Sequence, residues 1–449
     1  MNRRIFLAGT AGLAVAACAT QAKLPSAAGG PAQPADEAPD LETAAMEAWI
    51  YGLMLIENAA SRAETLAQVA PNTLLHAYDL TTPKTQFVTT PNNDTLYSRV
   101  WIDLSGGPVT LDFPATGKRY VSYAFMDMYG TNFAILGTRT TGGEAQRVTL
   151  IGPQAASSDP LALRAPTPWV WLLIRVLIDG DADKAAANAV QDAIRVSGPA
   201  RSKPPAQATR DAPWGEYFAS VQALLAENPP PVSDTAFFQR VARLGLGPLK
   251  GFDAARFSSA EGAQIEAGVA KGRAAVSGRR SGQIRNSWLY PRPTLGDFEQ
   301  DYLYRGQVAI GGLAALKPVE AMYMRPISAG GQMVLDSAQP WLLRFETGQL
   351  PPVHAFWSLT AYERTPAGQF YFFENAIDRY AIGDRTPGLV YSADGSLEIL
   401  IQRDDPGGAR RANWLPAPPA GPLGLNIRAY LPKPELMDGA YLLPALRAA

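Results

Sequence analysis

Apolar positions along the chain switch between two periods, and the switches mark the elements. Leu41, Ala45, Ala48, Trp49, Gly52 and Ile56 follow helical spacing behind Asp40, a residue suited to capping, so a helix is predicted over 41–68. Val100, Ile102 and Leu104 then alternate with Trp101 and Asp103, and Val109, Leu111 and Phe113 with Thr110 and Asp112. With Ser105-Gly-Gly-Pro108 between them, the two runs read as a β-hairpin, and 118–136 reads as more of the same sheet. Residues 181–196, rich in Ala, read as a helix, and 197–212 as a linker. Helical spacing fills 213–285, broken by Pro and Gly, and returns once over 296–316. From about 330 the period is two again. Trp341, Leu343 and Phe345 form one alternating set; Phe356, Ser358, Thr360 and Tyr362 a second; Leu397, Ile399 and Ile401 a third; and Leu423 to Leu431 the last. This predicts an antiparallel sandwich.

The pattern gives an α+β chain, mainly β, with two β-rich antiparallel domains, sandwich- or barrel-like, joined by a helical segment. The expected division is a signal peptide over 1–18, a tether over 19–40, a first domain over 41–196, a helical region over 197–316 and a β-sandwich over 317–449. The signal is read from "MNRRIFLAGTAGLAVAACAT": Arg3-Arg4 precede a short, weakly apolar stretch, the pattern of twin-arginine export. Val15 to Cys18, "VAAC", resembles a lipoprotein box, which makes Cys18 the expected site of lipidation and of the contact with membrane. The Ala, Pro and Gly of 19–40 suit a flexible tether. The expected location is therefore the periplasm, or a membrane face reached through the N-terminal lipid.

Composition narrows the chemistry. Of the 449 residues, 47% are hydrophobic and only 18% charged, with a net charge of -1, so no basic surface argues for nucleic acid. Two histidines and one cysteine leave little for a zinc site, and no H-E-x-x-H, G-x-S-x-G or P-loop stands in the sequence. Carboxylates, amides, tyrosines and arginines remain. Asn92-Asn93-Asp94 stand in a row before Tyr97; they are either a turn that caps a strand or acceptors aimed into a cleft. If 119–129 is one strand, Tyr123, Asp127 and Tyr129 share a face, an Asp between two phenols fit for acid–base work or for sugar hydroxyls. The alternative is that Asp127 caps the Gly130-Thr131-Asn132 turn. No cofactor is evident; a divalent cation at Asp94 and Asp127 is a weak candidate. Arg379, in "FENAIDRYAIGDR", is the candidate anion contact, because its planar fork suits a carboxylate.

"TPNNDTLYS", "RYVSYAFMDMYGTNF" and "PTPWVWLLIRVLIDG" resemble the bacterial DUF1254 domain. "LPPVHAFWSLTAYE", "NAIDRYAIGDR", "YSADGSLEILIQ" and "NWLPAPPAGPLGLNIRAYLP" resemble DUF1214. The likeness covers roughly 45–195 and 315–435. Where the family often carries Met-Tyr-Asp after Ser-Leu-Thr, this chain has Ala361-Tyr362-Glu363, which keeps the acid. The resemblance implies an envelope-associated protein of two β-rich domains and brings no mechanism with it.

Two readings stay open. One is an enzyme acting on a small polar or glycan-like molecule in a cleft between the domains. Asp94, Asp127 and Glu363 would be its acid–base groups, with Asn92, Asn93, Tyr97, Tyr123, Tyr129, Trp357 and Arg379 holding substrate. The other is a ligand-binding or scaffold lipoprotein, a homo-oligomer among its forms.

Overall fold

The computed structural model describes residues 39–84, 89–199, 201, 204, 206–278, 282–327, 334–366 and 368–449. The expected signal peptide, Cys18 and nearly all of the tether lie outside the described residues.

The chain begins with α1 (Leu41–Leu66), and Asp40 caps it as its side chain accepts from the Thr43 N–H at 2.7 Å. Nine strands follow: β1 (Leu75–Ala77), β2 (Thr95–Asp103), β3 (Val109–Phe113), β4 (Val121–Met126), β5 (Asn132–Gly137), β6 (Gln146–Ile151), β7 (Leu163–Arg164), β8 (Trp169–Leu177) and β9 (Arg195–Ser197). The short α2 (Thr138–Thr141) follows β5, and α3 (Lys184–Ala193) follows β8. They build two sheets, β1-β2-β8-β4-β5 and β7-β6-β3-β9. Leu96, Val100 and Ile102 of β2 and Val170, Leu172 and Ile174 of β8 face Val109, Leu111 and Phe113 of β3 across one apolar core.

The predicted hairpin between β2 and β3 does not form. β2 pairs with β1 and β8, while β3 pairs with β6 and β9. Ser105-Gly-Gly-Pro108 carries the chain from one sheet of the sandwich to the other. Alternation fixes which side chains enter the core and not which strand is the neighbour.

Next come α4 (Trp214–Glu227), α5 (Thr235–Arg240), α6 (Ser259–Ser277), the ribbon β10 (Gln283–Arg285) and β11 (Trp288–Tyr290), and α7 (Tyr302–Gly311). Helices α1, α4, α6 and α7 pack together and cover the face of the first sheet that points away from its sandwich. Helices α1 and α6 meet closely: a Cβ at Gly268 would stand 2.1 Å from the Glu42 carbonyl oxygen.

The second sandwich holds β12 (Ala321–Pro326), β13 (Leu335–Asp336), β14 (Trp341–Phe345), β15 (Val353–Arg364), β16 (Phe370–Tyr371), β17 (Ala381–Gly383), β18 (Leu397–Gln402), β19 (Trp414–Pro416), β20 (Pro422–Pro432) and β21 (Arg447–Ala448), with the short α8 (Pro434–Met437) after β20. Its larger sheet runs β10-β11-β12-β20-β15-β16, and its smaller one β19-β18-β14-β21. Met322, Met324, Trp357, Leu359, Ala361, Leu425, Ile427 and Ala429 fill the core between them. The alternate residues of the same strands (Tyr323, Phe356, Ser358, Thr360, Tyr362, Arg428 and Tyr430) therefore point the other way. That second face of the large sheet is aromatic and polar, yet most of it is buried, because the first sandwich lies against it.

Candidate binding site between the two sandwiches

The Asn-Asn-Asp run forms a turn, and its side chains are held within the protein. Asn92 accepts the Asp94 N–H on its side-chain oxygen at 2.5 Å, a local turn that aims the start of β2. Its amide nitrogen donates to the Thr95 hydroxyl at 3.1 Å and to the Tyr430 phenol at 2.7 Å, so the turn is pinned to β20. Asn93 turns away and donates to the Thr81 carbonyl at 3.0 Å. Asp94, 4% exposed, accepts from Ser358 Oγ at 2.7 Å and from Arg385 Nη2 at 3.2 Å. The Arg385 guanidinium also lies 4.4 Å from the centroid of the Phe356 ring. Arg428 completes the seam: Nη1 donates to Thr360 Oγ1 at 2.9 Å, and Nη2 donates to the carbonyls of Thr90 and Pro91 at 2.9 and 3.2 Å. The Tyr362 phenol donates to Pro91 at 2.7 Å. Asn92 and Asp94 are thus spent on joining one sandwich to the other. Burial, and after it the Asp94 charge, hold the Tyr430 phenol well above its usual pKa, so it remains a neutral partner.

Beside this paired seam lies an unpaired spot. Tyr97, Arg175 and Ser122 stand directly opposite one another across β2, β8 and β4. Arg175 is 5% exposed and Ser122 fully buried. The Arg175 guanidinium lies 5.4 Å from the Tyr97 ring centroid and donates from Nη2 to the Ala314 carbonyl at 3.0 Å. Its Nη1 has no hydrogen-bond partner, and the Ser122 hydroxyl lies against the Tyr120 phenol. Tyr120, Tyr323 and Tyr430 are its other close polar neighbours. Glu320 is an acid in electrostatic reach, already paired with Arg139 at 2.7 Å and with the Tyr120 phenol at 2.9 Å. An arginine stays charged in a protein, and a buried cation with an open N–H is costly unless something accepts from it. Ala314, whose carbonyl roofs the spot, is held at φ 61, a left-handed conformation that costs an alanine about 1 kcal/mol. Tyr97 and Tyr323 remain half-buried, so water reaches the rims of the spot.

The remaining expected residues do not converge here. Asp94 precedes β2 and Asp127 follows β4. Through β8 these two strands run in one direction, so the acids lie at opposite ends of the sheet, roughly 26 Å apart along the strands. Among the described residues no group of three or more His, Cys, Asp or Glu is placed to hold a metal. Asp94 has an arginine where a cation would sit, so the proposed cation at Asp94 and Asp127 is set aside. Asp127 is the turn cap: its Oδ1 accepts the N–H groups of Tyr129 and Thr131, both at 2.9 Å. Burial raises its carboxyl to about 6, against those two bonds, which lower it. The shared face of Tyr123, Asp127 and Tyr129 does not exist, because β4 ends at Met126 and the turn breaks the alternation. Tyr123 stacks on Phe113 in the sandwich core, and the Tyr129 phenol donates to the Asn228 carbonyl at 2.7 Å beneath the helices. Glu363 lies on the core side of β15, at its far end, away from Ser358. Trp357 fills the second core. Arg379 donates from Nη1 to the carbonyls of Arg411, Ala412 and Trp414, so it clips a loop away from this seam.

Two family profiles, each described as a protein of unknown function, match the chain: DUF1254 over residues 71–198 and DUF1214 over 320–434. The chain belongs to the DUF1254/DUF1214 family. The DUF1254 match spans the first sandwich and the DUF1214 match most of the second. Tyr97, Ser122 and Arg175 therefore come from one domain and Tyr323, Ser358 and Tyr430 from the other. No curated protein matches the sequence. Among solved structures, the chain is similar to the VPA0106 protein of Vibrio parahaemolyticus, at 22% identity and a TM-score of 0.67, covering 91% of this chain and 100% of that one. That likeness shows a shared fold. The chain is also similar to a putative uncharacterized protein from Burkholderia cenocepacia, at 12% identity and a TM-score of 0.45, covering 89% and 87% of the two chains.

Proposed function

We propose that this DUF1254/DUF1214 protein is exported, anchored by lipid at Cys18, and binds a small anionic polar molecule between its two sandwiches. The observation that carries the binding reading is Arg175: a buried guanidinium with an open Nη1, beside the buried Ser122 hydroxyl and ringed by tyrosines from both domains. A carboxylate or similar oxyanion would accept from Arg175 Nη1 and from Ser122 Oγ, replacing what burial removed. Binding is favoured over acid–base catalysis because Asp94, Asp127 and Glu363 do not meet, and Asp94 is engaged by Arg385 and Ser358. Export and lipidation rest on Arg3-Arg4 and on the "VAAC" run.

Calorimetric titration of the purified protein with small carboxylates and phosphate tests the binding. Arg175→Met is expected to abolish the heat; retention of full affinity in that variant would end the reading. Cys18→Ser should release the protein from the membrane fraction, and Arg3→Lys with Arg4→Lys should leave it in the cytoplasm.

A further inference from the structure

The smaller sheet of the second sandwich has an outer face that period two leaves for solvent, and part of that face is apolar. Leu343 and Phe345 of β14 and Leu397, Ile399 and Ile401 of β18 fill the core, so Leu342 and Leu400, directly opposite each other, point outward. Leu400 is nevertheless only 5% exposed. Two segments rise over the pair and leave a cleft of about 160 Å³ between them. One carries Val390 and Tyr391; the other is the short helical turn Gly408–Asn413, which brings Arg410. Both walls are fixed. The Asn413 Oδ1 accepts the Val390 N–H at 2.9 Å, and its Nδ2 donates to the Val390 carbonyl at 2.6 Å. Arg379 holds the end of the helical turn through the carbonyls of Arg411, Ala412 and Trp414. A cleft with walls tied in this way needs little reordering to take a ligand.

The lining says what it takes. The floor is two leucines, and the wall beside it leaves Val390 and Tyr391 each nearly half exposed, large apolar side chains uncovered at one place. A cavity of roughly 150 Å³ accommodates one benzene ring, so this one has room for a single ring or a short branched alkyl group. Arg410 adds a positive charge that has no hydrogen-bond or ion-pair partner among the described residues. Arg447 of β21, opposite Leu342, brings a second cation to the same face. The acid in the lining, Glu398, accepts from Arg344 Nη1 at 2.8 Å, and the same guanidinium binds Glu346 and Asp394 at 3.0 and 2.7 Å. The acids of this face are thus gathered on Arg344, and the arginine in the cleft is left open. We infer that the cleft binds a small monocarboxylic acid carrying one aromatic or branched aliphatic group. The apolar group would lie on Leu342, Leu400 and Tyr391 and the carboxylate on Arg410. The core of the second sandwich lies between this cleft and Arg175, so the two sites are independent.

The test is calorimetric titration of the full-length protein with phenylacetate, acetate and benzyl alcohol. It is run on the parent and on Arg175→Met, which removes the anion site between the sandwiches, and Arg410→Gln and Tyr391→Ala are then added to each. Both added changes are at exposed positions, and circular dichroism checks the fold. In Arg175→Met, phenylacetate is expected to bind at least about fivefold more tightly than acetate or benzyl alcohol, because it alone has both the ring and the charge. Arg410→Gln should weaken phenylacetate about three- to tenfold and leave benzyl alcohol unchanged, while Tyr391→Ala should weaken both. Phenylacetate binding that is lost in Arg175→Met would put the acid between the sandwiches, overturning this inference and leaving the proposed function in place. Absence of phenylacetate binding in both proteins, or binding that neither Arg410→Gln nor Tyr391→Ala weakens, would overturn it too. Sedimentation without ligand reads the other occupant: a dimer that Tyr391→Ala disperses would mean that a second copy covers the cleft, and the inference would fall.

Discussion

Replacement of Arg175 by methionine separates a ligand-binding arginine from a structural one. The side chain gives the fold one charge-assisted hydrogen bond, to Ala314, and one cation–π contact, to Tyr97. Together these contribute about 2–4 kcal/mol. Against them stands the desolvation of a buried guanidinium with an open Nη1, which is of similar size, several kcal/mol. Methionine keeps the length and much of the volume and removes the desolvation cost. The expected stability change in the absence of ligand is therefore within about 1.5 kcal/mol of zero. Arg428→Met is the comparison: that side chain bridges Thr360, Thr90 and Pro91, and its loss should cost about 3–5 kcal/mol. Guanidinium denaturation followed by tryptophan fluorescence measures both. If Arg175→Met destabilised the protein as much as Arg428→Met, Arg175 would be a structural tie and the case for a site around it would fall.

Three further outcomes are expected. Asp94→Asn and Arg385→Gln should be non-additive in a double-mutant cycle, with a coupling of about 0.5–2 kcal/mol because Arg385 is partly exposed; additivity within about 0.3 kcal/mol would mean that their contact joins nothing. Asp127 has its pKa raised by burial from the usual carboxylate range to about 6, so the folded state holds its proton more tightly than the unfolded chain does. Its contribution is fully present below about pH 4 and is lost as pH rises through 6, a fall on the order of 3 kcal/mol. Asp127→Asn, which keeps the acceptor for Tyr129 and Thr131, should flatten that part of the stability–pH curve; an unchanged curve would refute the assignment. Gly268→Ala should cost about 1–3 kcal/mol in thermal unfolding, because its Cβ would meet the Glu42 carbonyl and force α1 and α6 apart; a neutral result would show that the helices adjust freely.

Much of the fold was legible because one signal per element was enough. Asp40 and the helical spacing behind it gave α1, and period two gave β14, β15, β18 and β20, with the inward faces of β14, β18 and β20 read correctly; in β15 the core takes Trp357, Leu359 and Ala361, the alternates of the set that was read. The β2–β3 pairing was not legible, since a Gly-Gly-Pro connection serves a hairpin and a crossing between sheets equally well. The error at Asp127 came from extending alternation past Met126 into a turn. The Asn-Asn-Asp run was found and its turn reading holds, but its partners Ser358 and Arg385 lie more than 260 positions away. Arg175 carried a signal that was passed over. It is the one charge in "WVWLLIRVL", and a lone cation in a strand buried on both faces needs a reason. Its open Nη1 was beyond reach, because that depends on how the Ala314 loop closes over it, 139 positions along the chain.

The layering of the first sheet has a consequence for synthesis. Strand β8 is complete at Leu177, yet the last helix to cover its outer face ends at Gly311, and Tyr323 and Tyr430 follow later still. At about 5–20 residues per second the ribosome leaves Trp101, Trp171 and Arg175 without their cover for on the order of ten seconds. A nascent chain in that interval shows an aromatic sheet face to the cytosol. Early chaperone capture and a sensitivity of yield to translation speed are what this order of elements demands.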